Sequence, residues 1–227
     1  MIKFYFNASP NPLKVALFLE EAGLAYEPIP VDTRSGHQFA PEYLALNPNG
    51  KVPTIVDGDT TVFDSNAILL YLAEKTGGFL PAPQLRGEFL SWLMFVATGI
   101  GPFSGQAVHF RHFAPEQVPY ANTRYQYEAE RHYGIVDARL ATRRYMVGDS
   151  YTIVDMALWG WARMVPFMLG DEAWAKFPNL KRFLDEINAR PAAAKVDAFR
   201  AAQADKFKAQ MDDEARAIMF KHLGRAA

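Results

Sequence analysis

The sequence predicts an α/β domain followed by an all-helical domain. The first third of the 227-residue chain alternates strand and helix patterns in the order β-α-β-α-β-β-α. Residues 77–87, GGFLPAPQLRG, are rich in the glycine and proline that interrupt regular structure, and only helical patterns follow them. We therefore expect a first domain at 1–79, a linker at 80–87 and a helical domain at 88–227.

The first strands and helices can be assigned in chain order. Residues 2–6, IKFYF, form an apolar and aromatic run that is typical of a buried strand. Pro12 suits the first turn of a helix, with Asn11 as its expected N-cap and Gly23 as its end. Residues 25–32 predict a second strand, and its two prolines favour the edge of a sheet.

The rest of the first domain contains a hairpin between two helices. Residues 40–46 predict a short helix. Residues 52–57 and 60–63 are short strand patterns around Asp57-Gly58-Asp59, which indicates a hairpin. Asp64-Ser65 then begins an apolar helical pattern.

The second domain shows helical patterns throughout. Residues 88–113 are apolar and aromatic, and we expect a break near Gly99, Gly101 and Pro102. Thr152-Ile153-Val154-Asp155 is similar to a capping box, with aspartate in place of glutamate, ahead of a strongly apolar helix. Amphipathic patterns occupy 120–141, 179–189 and 205–222.

Composition excludes several classes of function. Twenty-four basic against 25 acidic residues give a net charge of -1, which disfavours general affinity for nucleic acid or anionic membranes. Cysteine is absent, so the chain has no thiolate of its own, and any thiol chemistry needs a thiol from a ligand. No apolar run approaches the ~20 residues of a membrane span, and the apolar start is too short for a signal peptide. We expect a cytoplasmic protein.

Two sites in the first domain suit a small peptide-like ligand. A cis bond at Val52-Pro53 would present the Val52 main chain to such a ligand as an added strand; the alternative is a trans proline that begins an edge strand. Ser65 at a helix start could bind a carboxylate, and Asp64 an ammonium group; the alternative is an ordinary N-cap.

Further polar residues suggest anion stabilisation. Ser9 and Asn11 offer donors at a helix start, which would lower the pKa of a bound thiol, although Asn11 could simply cap its helix. Arg124 is either a salt-bridge partner or a carboxylate clamp. His109 and His112 lack an evident third ligand, so we expect no metal site.

In this order, the motifs resemble the glutathione transferase family. The loop 47–53, NPNGKVP, is similar to the loop and cis-proline that bind the glutathione backbone. Asp64-Ser65 and the helix after it are similar to the family's γ-glutamyl site, and 148–155 is similar to its folding signature. The resemblance spans nearly the whole chain. It implies a thioredoxin-like N-terminal domain and an all-helical C-terminal domain.

Other motifs are similar to the bacterial nu class of that family, which typically has Thr-Pro-Asn where this chain has Ser9-Pro10-Asn11. The similar segments are 9–11, 36–39, 105–106 with 109–110, 114–116, and 119–121 with 124–125. The resemblance implies a homodimer that binds two glutathione molecules, or oxidised glutathione, and reduces small disulfides without a protein cysteine or a metal.

The resemblance also implies a role for each candidate residue. Ser9 and Asn11 direct donors at the glutathione sulfur, with Tyr5 as a second candidate for that role. The implied binding residues are Val52 for the cysteinyl backbone, Asp64 and Ser65 for the γ-glutamyl end, Gln38 and Lys51 for the glycyl end, and Arg124 for the second glutathione. Conjugation of glutathione to electrophiles and a non-catalytic glutathione-binding role stay open as alternatives.

Overall fold

The computed structural model describes residues 1–220, so the ends of the predicted segments 205–222 and 88–227 lie outside the described residues. The described residues group into two compact units, 1–71 with 192–220, and 72–191. The units therefore do not follow chain order, because the last segment packs with the first strands. The sequence-based limits 1–79, 80–87 and 88–227 stay a prediction.

A four-stranded mixed sheet forms the first unit's centre. The strands are β1 (Ile2–Phe6), β2 (Tyr26–Pro30), β3 (Thr54–Asp57) and β4 (Thr60–Phe63), in the spatial order β2-β1-β3-β4. β1 pairs with β2 in parallel, whereas the β1–β3 and β3–β4 pairs are antiparallel. The proline-containing β2 lies at the edge, as predicted. β3 is internal, so the alternative of an edge strand after Pro53 is wrong.

The helices largely follow the predicted pattern. Within residues 1–220 they are α1 (Pro10–Glu21), α2 (Pro41–Leu46), α3 (Ser65–Thr76), α4 (Arg86–Phe95), α5 (Gly101–Val108), α6 (Pro119–Leu140), α7 (Ile153–Ala162), α8 (Val165–Leu169), α9 (Ala173–Lys176), α10 (Pro178–Asn188), α11 (Pro191–Ala202) and α12 (Asp213–Met219). None of these helices combines the length and apolar character needed to cross a membrane.

The two faces of β1 contact different segments because alternate side chains of a strand point to opposite faces. Phe6 is buried, and its ring centroid lies 4.8 Å from that of Phe199 in α11 and 5.6 Å from that of Phe207. Tyr5 instead lies 5.6 Å from the Tyr43 ring of α2. Residues of the C-terminal segment thus complete the aromatic core of the first unit.

Two predicted helix boundaries are wrong. α1 begins at Pro10, so Ser9 rather than Asn11 is its N-cap; proline at the first helical position has its φ already set for a helix. The expected break near Gly99 is instead a π-helical turn, Val96–Ile100, that joins α4 to α5. A Cβ at Gly99 would lie 2.6 Å from the ring of His132 in α6, so glycine permits the close approach of this turn to α6.

Two C-terminal segments also differ from expectation. α11 was missed, although PAAAKVDAFRAA combines an early proline with alanine, the strongest helix former. The predicted pattern 205–222 is helical only at Ala204–Lys206 and α12 among the described residues. The Asp212 carboxylate accepts from the Ala215 N–H at 2.9 Å and so starts a separate helix.

The predicted capping box at α7 is present and fully buried. The Asp155 carboxylate accepts from the Thr152 N–H and the Met146 N–H, each at 2.8 Å, and from the Thr152 hydroxyl at 3.1 Å. The Thr152 hydroxyl in turn accepts from the Val154 N–H at 3.3 Å. One carboxylate therefore fixes both the start of α7 and the segment before it.

Asp155→Ala should lower the free energy of unfolding by about 3–5 kcal/mol, because it leaves two buried N–H donors without an acceptor and removes the cap. Urea denaturation checks this value. Thr152→Ser, which keeps the hydroxyl, is the matched control and should cost less than about 1 kcal/mol. A loss below about 1 kcal/mol in Asp155→Ala would contradict the assigned role.

Candidate active site

The register of the sheet brings four candidate segments to one end of it. Ile29, Tyr5, Thr54 and Phe63 are paired in succession across β2, β1, β3 and β4. β1, β2 and β4 end just beyond this row, whereas β3 begins there. The segments at that end are therefore 7–11, 31–38, 51–53 and 64–65.

The start of α1 presents polar donors at this end. The Ser9 N–H donates to Asn7 Oδ1 at 2.9 Å, while the Ser9 hydroxyl makes no capping bond with the helix. Pro10 and Pro12 have no N–H, so Asn11 supplies the one backbone donor among the first three helical residues. Amide donors and the positive end of a helix dipole stabilise an anion.

The loop before β3 is held by a compact set of hydrogen bonds. The Lys51 carbonyl accepts from Asn47 Nδ2 and from the Tyr43 hydroxyl, each at 2.7 Å. The same two side chains reach the buried Thr54 hydroxyl, at 3.1 Å and 3.0 Å respectively. Burial raises the pKa of Tyr43, which keeps its hydroxyl protonated as a donor.

Val52-Pro53 is a cis peptide bond, which confirms the first of the two predicted alternatives. Val52 is half-buried, and no hydrogen bond within residues 1–220 occupies its main-chain N–H or C=O. The residue precedes β3 at the end of the sheet where the other segments meet. Its main chain is thus suited to pair with an extended ligand.

Gln38 lies against the same loop. A Cβ at Gly50, which has φ 60°, would lie 3.3 Å from the Gln38 carbonyl oxygen. Gln38 is 4% exposed, and its amide nitrogen donates to the Thr33 carbonyl at 3.0 Å. Its Oε1 is buried and has no hydrogen-bond partner in residues 1–220. An unpaired buried acceptor is costly. The neighbouring Lys51 side chain is exposed.

Asp64 caps α3 from a left-handed backbone conformation, φ 71°. Its Oδ1 accepts from the Asn66 and Ala67 N–H groups at 2.9 Å and 3.2 Å, so the predicted capping role is confirmed. Ser65 is the first helical residue and is 3% exposed. Its N–H belongs to the first turn, which has no acceptor within a helix and so favours an anion.

Lys14 of α1 lies next to the start of α3. The sequence did not point to this residue. It is 1% exposed, and its Nζ lies 3.5 Å from the Ser65 hydroxyl oxygen. Desolvation lowers the pKa of Lys14 to about 7, against the opposing effect of the Asp64 charge. The available signal was a single lysine within the buried run 12–19 of α1.

Arg124 belongs to the second unit, on α6. Its Nη1 contacts Glu128 Oε1 at 2.7 Å, and Arg131 Nε contacts Glu128 Oε2 at 3.0 Å. The hydrogen bond from Arg131 and the nearby positive charges lower the pKa of Glu128. The salt-bridge alternative for Arg124 is therefore confirmed. The Arg124 side chain is half-exposed and so accessible to a ligand, and its role as a carboxylate clamp stays a prediction. No group of three or more acidic or histidine side chains in residues 1–220 could hold a metal.

Comparison with known proteins assigns the chain to a family. Residues 8–75 match the glutathione S-transferase N-terminal domain, and residues 105–191 match the C-terminal domain. The chain is 40% identical over 229 residues to the disulfide-bond oxidoreductase YfcG of Escherichia coli (strain K12), covering 94% of this chain and 98% of that protein.

Two crystal structures are similar over most of their length. The glutathione transferase URE2P6 from Phanerochaete chrysosporium, in complex with oxidised glutathione, has a TM-score of 0.84 and 36% identity, covering 88% of this chain and 96% of that one. A family member from Pseudomonas fluorescens pf-5, with two glutathione bound, has a TM-score of 0.80 and 37% identity, covering 86% and 91%.

This chain belongs to the glutathione transferase family. The predicted fold class is confirmed: a thioredoxin-like N-terminal domain with a four-stranded mixed sheet, and a helical C-terminal domain.

Asp64→Ala should lower the free energy of unfolding by about 2 kcal/mol, because it removes the cap of α3 and places alanine in a left-handed conformation. Asp64→Asn keeps both properties and should be nearly neutral. Asp64→Gly removes the cap but suits the left-handed backbone, so it should lower the free energy of unfolding by only about 0.3 kcal/mol. Urea denaturation of the three variants checks this order, and equal losses in Ala and Gly would contradict the backbone argument.

Proposed function

We propose that this protein is a glutathione-dependent disulfide reductase of the nu class that acts on small disulfides. The observation that carries the proposal is that the Val52 main chain and the starts of α1 and α3 lie at one end of the sheet, in a chain without cysteine. Because the protein has no thiol, glutathione must supply every sulfur that reacts with the substrate.

Glutathione is an extended tripeptide, and the candidate residues suit its three parts in order. The main chain of Val52 pairs with the cysteinyl residue, as a short added strand. Ser65 at the start of α3 receives the γ-glutamyl carboxylate, and Asp64 attracts the ammonium group beside it. Gln38 and Lys51 contact the glycyl end. The close approach of Gln38 to Gly50, the residue before Lys51, supports placing both side chains at the same end of the tripeptide.

Ser9 and Asn11 lie at the start of α1, where donors stabilise the glutathione thiolate. The thiolate attacks one sulfur of the disulfide RSSR, which forms the mixed disulfide GSSR and releases RS⁻, which takes up a proton. A second glutathione thiolate then attacks the glutathione sulfur of GSSR, giving GSSG and a second RSH. Two glutathione molecules are oxidised and one disulfide is reduced, so the electrons balance.

The second glutathione needs a site of its own, and Arg124 is our candidate clamp for its carboxylate. One relative has two glutathione bound and another has oxidised glutathione bound, which supports a site that holds two glutathione molecules. The E. coli relative is named a disulfide-bond oxidoreductase, which supports the reaction. We further propose that the protein works as a homodimer in the cytoplasm, where glutathione keeps thiols reduced.

The experiment is a steady-state assay of the purified protein with glutathione and bis(2-hydroxyethyl) disulfide, against a blank without protein. Parallel assays measure conjugation to 1-chloro-2,4-dinitrobenzene and binding of glutathione by calorimetry. Disulfide turnover well above the blank is the expected result. Fast conjugation without disulfide turnover would replace the proposal with a conjugating transferase. Binding without either turnover would replace it with a non-catalytic binding role.

Asn11→Ala removes the side-chain amide and keeps the backbone N–H. If the side-chain amide is the donor to the sulfur, disulfide turnover should fall about a hundredfold or more, because a lost donor to a developing or bound anion costs ~2.7–4 kcal/mol. Ser9→Ala should also lower turnover without destabilising α1, since the Ser9 hydroxyl makes no capping bond. The kcat of each variant and its thermal midpoint check both statements.

Ser91→Ala is the matched control for these variants. The Ser91 hydroxyl donates to the Gly87 carbonyl within its own exposed turn of α4, at 3.0 Å, so its loss should leave turnover unchanged. A fully active Asn11→Ala protein would contradict the assigned role of Asn11.

A further inference from the structure

Lys14 is the buried charged group that the proposed mechanism leaves without a role. It lies in the first half of α1 among buried apolar residues, with 1% of its surface exposed. A lysine is rarely buried to this extent without a carboxylate partner, because its ammonium loses hydration. Within the described part of the chain, the Lys14 Nζ has Ser65 as its hydrogen-bonding neighbour, at 3.5 Å.

Ser65 is the residue to which the proposed function assigns the γ-glutamyl carboxylate. The charged group that acts on Lys14 within residues 1–220 is the Asp64 carboxylate, immediately before Ser65. The amine of α1 and the carboxylate-binding start of α3 therefore form one cluster. A ligand carboxylate at Ser65 would add a second negative charge close to Lys14.

The protonation state of Lys14 decides which way the Ser65 hydroxyl points. A neutral amine can accept the Ser65 O–H, which turns that hydrogen inward. An ammonium group has three donors and no acceptor, so it can only donate to the Ser65 oxygen. The Ser65 O–H is then turned away from Lys14, toward the ligand carboxylate.

Building on the proposed function, we propose that Lys14 is a positioning residue that takes up a proton when the γ-glutamyl carboxylate of glutathione binds at Ser65. The bound carboxylate favours the ammonium form, and the ammonium in turn orients Ser65 toward the carboxylate. Binding and protonation strengthen each other by the same factor.

The direction of the pH dependence follows from desolvation. Because burial lowers the pKa of Lys14 to about 7, the amine is mostly neutral in the free protein at pH 8 and mostly charged at pH 6. A nearby carboxylate raises the pKa of a lysine. Glutathione binding should therefore take up a proton at pH 8 and very little at pH 6.

Calorimetric titration of S-methylglutathione in two buffers of different ionisation enthalpy measures this uptake, since the blocked sulfur cannot release a proton. We expect uptake of roughly 0.5–0.9 proton at pH 8 and roughly 0.1 at pH 6. Affinity should fall by up to about tenfold for each pH unit above 7.

Lys14→Met keeps the length of the side chain without the amine, and it should abolish the uptake and flatten the pH dependence of affinity. Lys14→Arg, which stays charged, should bind S-methylglutathione without uptake, and it carries the test if the Met variant fails to bind. Lys3→Met is the matched control, because Lys3 is exposed on β1, and it should leave the uptake unchanged.

The outcomes separate this inference from the proposed function. Binding by the unaltered protein without proton uptake at pH 8 would overturn the role of Lys14 and leave the disulfide reductase proposal intact. Uptake that persists in Lys14→Met would also overturn it, because a group other than Lys14 would then gain the proton. Failure of the unaltered protein to bind S-methylglutathione would overturn the proposed function itself, and this inference with it.

Discussion

Thr54 joins the sheet to the loop that carries Val52. Its main chain pairs with Tyr5 on one side and Phe63 on the other, so it fixes where β1 ends, β3 begins and β4 ends. Its buried hydroxyl contacts Tyr43 and Asn47, the two side chains that also hold the Lys51 carbonyl. One threonine therefore links the sheet register to the position of the loop before β3. A register shift of one residue would turn every side chain of the strand to the opposite face.

Several features at this end of the sheet cost stability. Lys14 is buried with a depressed pKa, Asp64 has a left-handed backbone, and Gln38 Oε1 is buried without a partner. Each is costly unless a bound ligand compensates it. All three residues lie near the end of the sheet where the candidate segments meet. The second unit, in contrast, satisfies its buried carboxylate at Asp155 with protein donors.

Periodicity and turn chemistry predicted all four strands, the edge position of β2 and most helices, because these depend on local sequence. The same local reasoning misplaced the N-cap of α1, since both Pro10 and Pro12 suit a first turn. It predicted a break at Gly99 because the contact of Gly99 with the His132 ring is distant in sequence and has no local signal. The cis bond at Val52-Pro53 stayed one of two alternatives until the three-dimensional structure was available.

Only part of the candidate site could be predicted, because some of its residues lie in motifs and others are defined by contacts distant in sequence. Ser9, Gln38, Val52, Asp64 and Ser65 stand in recognisable motifs, and the register brings their segments to the same end of the sheet. Lys14 and Tyr43 stand in no recognised motif, and their roles depend on contacts with Ser65 and with the loop before β3. Arg124 lies in the other unit, and its salt bridge with Glu128 was one of two alternatives that the residue type allowed.

The central claim is that glutathione, held at this end of the sheet, becomes the reactive thiolate in a protein without cysteine. The most direct test is a pH titration of the ultraviolet thiolate absorbance of bound glutathione. We expect the pKa of the bound thiol to fall from an unperturbed value of about 8.5 to about 7 or lower. A bound thiol whose pKa stays at or above its value in solution would contradict it.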